Sequence, residues 1–213
     1  GTGGMGEVYE AEQDSPRRRV ALKIMHAGAA SAQMKRRFHQ ESEIQGLLRH
    51  PGIAQVYETG VGTVHGRQVP YFAMELVDGL PLTDYADSHG LDTGARLRLL
   101  IDVCDAVGSA HGKGVIHRDL KPDNILVEES EGGPRVKVLD FGVAKLTERD
   151  VHFTTMRTEI GQVIGTLSYM SPEQIGGETD RLDTRTDVHA LGAVLYELLT
   201  GERPFDLAGR PIA

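Results

Sequence analysis

The chain has 213 residues, enough for one domain or for two small lobes around one site, and long enough to bury a core without disulfide staples. Hydrophobic residues make up 39% and charged residues 25%, the balance of a globular chain rather than a disordered one. The net charge of -8 argues against nucleic acid as a partner, because gripping a phosphate backbone requires a basic face.

The first third reads as strands with one helix. The chain opens on Gly1, inside a glycine-rich stretch and without an initiating Met, so it is expected to be cut at the amino end. Residues 8–11 and 19–25 are predicted strands across the turn Asp14-Ser15-Pro16. Residues 31–49 have helical character that stops at His50-Pro51-Gly52. The basic runs Arg17-Arg18-Arg19 and Lys35-Arg36-Arg37 read as solvated turn and helix faces. Strands are then predicted at 53–57 and 71–77, joined by a glycine-containing connection. After Asp78-Gly79 the character changes to mainly helical, with a periodic helix at 96–110, short strands at 125–127 and 135–139, and an apolar helix at 187–199. Cys104, the only cysteine, keeps step with Leu97, Leu100, Ile101 and Val107 and is expected in the core; no internal disulfide and no thiolate zinc site is expected, which fits a reducing compartment. No apolar run reaches the length of a membrane span, and no signal peptide is recognised. The order predicts a sheet-rich lobe, a hinge near residues 76–79 and a helical lobe, with a nucleotide-sized cleft between them.

Three groups of residues carry chemistry. Gly1, Gly3 and Gly6 form G-x-G-x-x-G, a spacing shared with dinucleotide-binding folds. Those folds need a helix straight after the glycines, whereas Glu7-Val8-Tyr9-Glu10 reads as a strand, so a hairpin tip that brings backbone N–H groups close to phosphates is expected. Lys23 ends the apolar strand Val20-Ala21-Leu22. It becomes informative if a carboxylate of the following helix, Glu41 or Glu43, reaches it. The most informative string is His117-Arg118-Asp119-Leu120-Lys121-Pro122-Asp123-Asn124, followed sixteen residues later by Asp140-Phe141-Gly142. A carboxylate there can accept a hydroxyl proton, a lysine can neutralise a moving phosphate, and Asn124 and Asp140 offer the hard oxygens that Mg2+ prefers.

This order and spacing resembles the protein kinase superfamily over residues 1 to about 206, and the wording of Asp119 to Asn124 resembles its Ser/Thr branch. His50-Pro51-Gly52-Ile53 and Ser168-Tyr169-Met170-Ser171-Pro172-Glu173-Gln174 are similar to bacterial Ser/Thr kinases. The resemblance implies an α+β, two-lobed fold: an antiparallel-sheet lobe with one helix at 1–77 and a helical lobe at 78–213 whose last helices are missing. It implies ATP and Mg2+ as cofactors and protein substrates as partners. A transient dimer for autophosphorylation in trans and a cytoplasmic site of action also follow from it.

By motif, Gly1, Gly3 and Gly6 would cover the phosphates. Lys23 would be held by Glu41, which lies nine residues before His50-Pro51, the interval the family shows. Val8, Ala21 and Leu126 would sandwich the adenine, Met74 would be the gatekeeper, and the Glu75 and Val77 backbones would bind the adenine edge. Asp84 would reach the ribose. Asp119 would be the base, Lys121 would stabilise the γ-phosphate, and Asn124 with Asp140 would hold Mg2+. Thr166 would bridge Asp119 and Lys121, and Asp187 would brace the catalytic-loop backbone or simply cap its helix. Arg118 and Lys145 could pair with a phosphate on Thr154, Thr155 or Thr158, of which Thr158 is favoured.

Departures from the family pattern are Gln45, where an apolar residue is usual, and His189, where an aromatic is usual. The chain also ends at Ala213, which is expected to leave apolar surface of the large lobe exposed and the piece aggregation-prone. A nucleotide-binding scaffold without transfer activity, a module completed by a partner, and a dehydrogenase are the competing readings. The first is disfavoured by the presence of Lys23, Asp119, Asn124 and Asp140 together, and the last by the strand after the glycines.

Overall fold

The computed structural model describes residues 2–3, 6–25, 46, 48–141, 167–177 and 182–205. Five antiparallel strands form the first sheet, in the order β1-β2-β3-β5-β4: β1 Thr2–Gly3, β2 Gly6–Asp14, β3 Arg17–Met25, β4 Val56–Val64 and β5 Arg67–Glu75. The two-lobed kinase-like architecture expected from the sequence is the one observed, and the glycine stretch does continue into a strand. Gly3 pairs with Gly6, so β1 and β2 form the expected hairpin.

β4 and β5 correct the expected strands at 53–57 and 71–77. They are nine residues each and are closed by His65-Gly66. Both turn residues have positive φ, 49° and 76°, the backbone twist that a tight two-residue hairpin requires. Ile53, expected to start a strand, instead makes a lone parallel bridge to Val138. The helix expected at 31–49 lies outside the described residues except at its end, where Gly46 is helical and Leu48 is not.

Three short strands make a second antiparallel sheet: β6 Leu80–Pro81, β7 Ile125–Glu128 and β8 Arg135–Val138. The helices are α1 Leu82–Ser88, α2 Thr93–His111, the one-turn α3 Pro172–Ile175 and α4 Thr184–Thr200; α1 and α2 pack on this sheet, and α4 packs on α1 and α2. Asp92 caps α2 by accepting the Ala95 N–H at 2.7 Å, and Asp183 caps α4 through the Arg185 N–H at 2.7 Å. Gly201, at φ 74°, ends α4 in the left-handed conformation that glycine takes without strain. No described helix is long and apolar enough to cross a membrane.

Helix α2 buries a different stripe from the one expected. Leu99, Leu100, Val103, Ala106, Val107 and Ala110 face the core, while Ile101 and Cys104 are exposed. The helix is apolar over so much of its circumference that spacing alone fits two overlapping stripes, and its packing on α4 and β8 selects one of them. Residual desolvation holds the Cys104 thiol above its usual pKa, the opposite of what activates a nucleophile. Helix α4 likewise buries Ala190, Ala193, Val194 and Leu198 and leaves Val188 and Leu199 exposed.

The adjacent leucines Leu198 and Leu199, 0% and 43% exposed, therefore offer a direct test. Leu198→Ala should cost about 2–5 kcal/mol in urea denaturation, and Leu199→Ala about 0.5 kcal/mol or less. Equal losses would contradict the assigned face.

Candidate active site

The register of the first sheet gathers one set of side chains. Val8 lies opposite Lys23, Lys23 opposite Phe72, and Ala21 opposite Met74, so all five share one face. Phe72 and Met74 are buried, and Val8 is partly exposed at the hairpin. Leu126 belongs to the second sheet. Its neighbours Ile125 and Val127 point into the core, so alternation turns Leu126 the other way, where it is half-buried. Glu75 ends β5 with its N–H donated to the Gln55 carbonyl at 2.8 Å. Its carboxylate is held by Lys137 at 2.5 Å and by the Gln55 N–H at 3.0 Å. Val77 is half-buried, just beyond the strand end.

Lys23 is buried, and its Nζ lies 2.6 Å from Asp140 Oδ2. This ion pair joins the first sheet to the stretch just past β8, two residues beyond its end. Asp140 sits at φ 58°, a conformation uncommon outside glycine and characteristic of functional sites. The helix carboxylates Glu41 and Glu43 lie outside the described residues, as do Gly1, Gln45, Lys145, Thr154, Thr155, Thr158 and Thr166.

The loop from His117 to Asn124 is fixed from below by one carboxylate. Asp187, on α4, is fully buried. Its Oδ2 accepts the His117 N–H at 2.8 Å and lies 2.7 Å from His111 Nε2, and its Oδ1 accepts the Arg118 N–H at 2.8 Å. The bracing role expected of Asp187 is what the geometry shows; the cap of α4 is Asp183 instead. His117 is also locked in place. Its Nδ1 accepts the Asp119 N–H at 3.2 Å, so Nε2 carries the proton donated to the Leu139 carbonyl at 2.7 Å. Its ring meets Phe141 edge-on at 4.7 Å.

Above this base stand Asp119, Lys121 and Asn124. Asn124 Nδ2 donates to the Asp119 carbonyl at 2.6 Å and to Asp119 Oδ2 at 3.0 Å. Both partners are acceptors, so the amide nitrogen must face them and the amide oxygen faces the other way. Lys121 Nζ lies 3.4 Å from Asp119 Oδ2. The Leu139 N–H donates to the Asn124 carbonyl at 2.9 Å, which ties Asp140 to this cluster through its neighbour.

Two residues of the string 168–174 make contacts near the loop that the resemblance did not specify. Gln174 Nε2 donates to the Arg118 carbonyl at 2.7 Å, and its Oε1 accepts the Ser171 N–H at 3.0 Å. The spacing Ser171-x-x-Gln174 is a capping-box signal and could have drawn attention to it. Glu173 accepts from Thr186 Oγ1, a hydroxyl on α4, at 2.8 Å. Hydrogen bonds from its own backbone N–H, from Ser171 and from Thr186 hold the Glu173 carboxyl below its usual pKa. His189 stacks parallel to Phe205 at 6.4 Å.

Comparison with known proteins agrees with this geometry. The family model for the protein kinase domain matches residues 1–211. The chain is 42% identical over 211 residues to the serine/threonine-protein kinase Pkn1 of Myxococcus xanthus, covering 98% of this chain and 29% of Pkn1. It is 41% identical over 207 residues to the serine/threonine-protein kinase PknB of Mycobacterium leprae, covering 96% of this chain and 32% of PknB. The chain thus spans about a third of the length of these curated relatives. Among solved structures, a kinase domain of PknI from Mycobacterium tuberculosis superposes with a TM-score of 0.72 at 28% identity, covering 100% of this chain and 75% of that one. Matched along nearly all of its length and sharing the fold, this chain belongs to the protein kinase domain family.

Proposed function

We propose that this domain transfers the γ-phosphoryl group of ATP to Ser or Thr hydroxyls of protein substrates. The observation that carries the reading is the Lys23–Asp140 ion pair, 2.6 Å long, set beside a loop in which Asp119 is held by Asn124 and Lys121. A lysine on the central strand of one sheet and an acid just past the last strand of the other meet where a nucleotide's phosphates would lie. A scaffold that only binds nucleotide has no use for the third group, Asp119.

In this reading Asp119 orients the attacking hydroxyl and accepts its proton, a step worth roughly 10²–10⁴-fold. Lys121 neutralises charge on the transferring group. Lys23 aligns the α- and β-phosphates and is handed from Asp140 to the nucleotide, with Glu41 as its second carboxylate. The oxygens of Asn124 and Asp140 are hard donors that fit Mg2+, which when bound neutralises phosphate charge. Gly1, Gly3 and Gly6 cover the phosphates. Val8, Ala21 and Leu126 enclose the adenine, behind Met74. The Glu75 carbonyl and the Val77 backbone take the adenine edge, and Asp84 the ribose. The division of the chain at residue 77 then becomes the hinge between lobes. We take the domain to act in the cytoplasm, with a second copy as its first protein substrate.

Autophosphorylation is the finer part of the proposal. Thr154, Thr155 and Thr158 precede Thr166 at a distance that resembles the family's activation segment, and a phosphate brings nearly two negative charges for Arg118 and Lys145 to pair with. After incubation with Mg-ATP, mass spectrometry should find phosphate in this cluster, foremost on Thr158. An active enzyme with no phosphate there would reject the regulatory assignment.

The base assignment has its own test. Asp119→Asn should bind ATP as the native protein does while losing about 10²–10⁴ in kcat, and EDTA should silence both forms. Near-native turnover by that variant would remove Asp119 from its role.

A further inference from the structure

The peptide unit between Arg118 and Asp119 is held at both ends. Its N–H, that of Asp119, donates to His117 Nδ1 at 3.2 Å. Its carbonyl, that of Arg118, accepts the Gln174 Nε2–H at 2.7 Å. A peptide unit is planar, so fixing its N–H and its C=O fixes the plane from which the Asp119 Cα departs. The plane needs such fixing, because Arg118 sits at φ 70°, a left-handed conformation that costs a non-glycine residue of order 1–3 kcal/mol and persists only when neighbours over-determine it. The preceding peptide is pinned by Asp187, through the Arg118 N–H at 2.8 Å.

We infer that Gln174 is a positioning residue for the base: its side-chain amide clamps the Arg118–Asp119 peptide and so aims the Asp119 carboxylate. The inference rests on the kinase reading above and deepens it. The side chain that does this must donate at one end and accept at the other. Gln174 donates to the Arg118 carbonyl and accepts at Oε1 from the Ser171 N–H at 3.0 Å and the Ser171 hydroxyl at 3.3 Å. An ionised glutamate of the same shape could accept from Ser171, but it would set a negative oxygen against the Arg118 carbonyl. Methionine would fill the space and make neither bond.

The clamp also has a direction. Gln174 lies on α3, and α3 is fastened to α4 by Thr186 and Glu173 at 2.8 Å. Two contacts from α4 and its neighbour therefore converge on one strained residue: Asp187 on the N–H of Arg118, Gln174 on its carbonyl. A shift of α3 would reach Asp119 through the amide of Gln174, without passing through the nucleotide site.

The test compares the native protein with Gln174→Met and Gln174→Glu in steady-state phosphoryl transfer, with melting temperatures measured in the same buffers. Both variants should lose about tenfold or more in kcat near neutral pH, with the KM for ATP changed less than about twofold, because misplacing a catalytic group lowers kcat without weakening nucleotide binding. The kcat of Gln174→Glu relative to the native protein should recover as pH falls from ~8 to ~5.5. Its carboxyl, near pKa ~4.3 in water and raised by the facing carbonyl oxygen, regains a donor proton. Gln174→Met should show no such recovery. Native kcat in both variants would overturn the inference. So would a loss that appears equally in KM and melting temperature, or a flat pH ratio for Gln174→Glu. A native protein that transfers no phosphate would instead overturn the kinase reading on which the inference rests.

Discussion

A single buried carboxylate organises the loop from His117 to Asn124. Asp187 is fully enclosed, and an enclosed charge is tolerated only when hydrogen bonds replace its water. Here the replacements are the N–H groups of His117 and Arg118 and the ring of His111. The requirement works in both directions. The loop backbone satisfies the carboxylate, and the carboxylate holds the loop in a shape that includes the left-handed Arg118. From that fixed shape follow the tautomer of His117, the orientation of Asn124 and the approach of Lys121 to Asp119.

The second organising contact crosses between the sheets. Lys23 and Asp140 are 117 positions apart in the chain and 2.6 Å apart in space. With side-chain exposures of 9% and 23%, the pair is poorly hydrated, so each charge depends on the other when no ligand is near. In the proposed mechanism the pair is a resting arrangement that nucleotide phosphates and metal reorganise. The Glu75–Lys137 pair, at 2.5 Å, is a further link between the two sheets, from the end of β5 to β8. These two bridges set the first sheet over the loop that Asp187 supports.

Much of this was legible in the sequence because it depends on local spacing. The glycine hairpin was readable from the strand that follows it, and the loop from eight consecutive residues whose acid, amide and cations must lie close together whatever the fold. What was not legible depends on what packs against what. Cys104 and Ile101 fit a helical stripe as well as Val103 and Ala106 do, and only the arrival of α4 and β8 decides between them. A helix expected to start at residue 187 left Asp187 as its candidate cap; the helix starts earlier, at Thr184, so Asp183 caps it and Asp187 is buried inside its first turn. The contact of Gln174 was not legible because its carbonyl partner is 56 positions away, although its capping-box spacing was in plain view.

The central claim is that these elements together perform phosphoryl transfer to a hydroxyl, rather than binding nucleotide alone. Two parallel incubations with a general protein substrate, one with ATP labelled on the γ-phosphate and one with ATP labelled on the α-phosphate, followed by phosphoamino-acid analysis, address it most directly. The account predicts that γ-label appears on phosphoserine and phosphothreonine and that no α-label is incorporated. Nucleotide binding without γ-label on any hydroxyl, or label confined to phosphotyrosine, would contradict it.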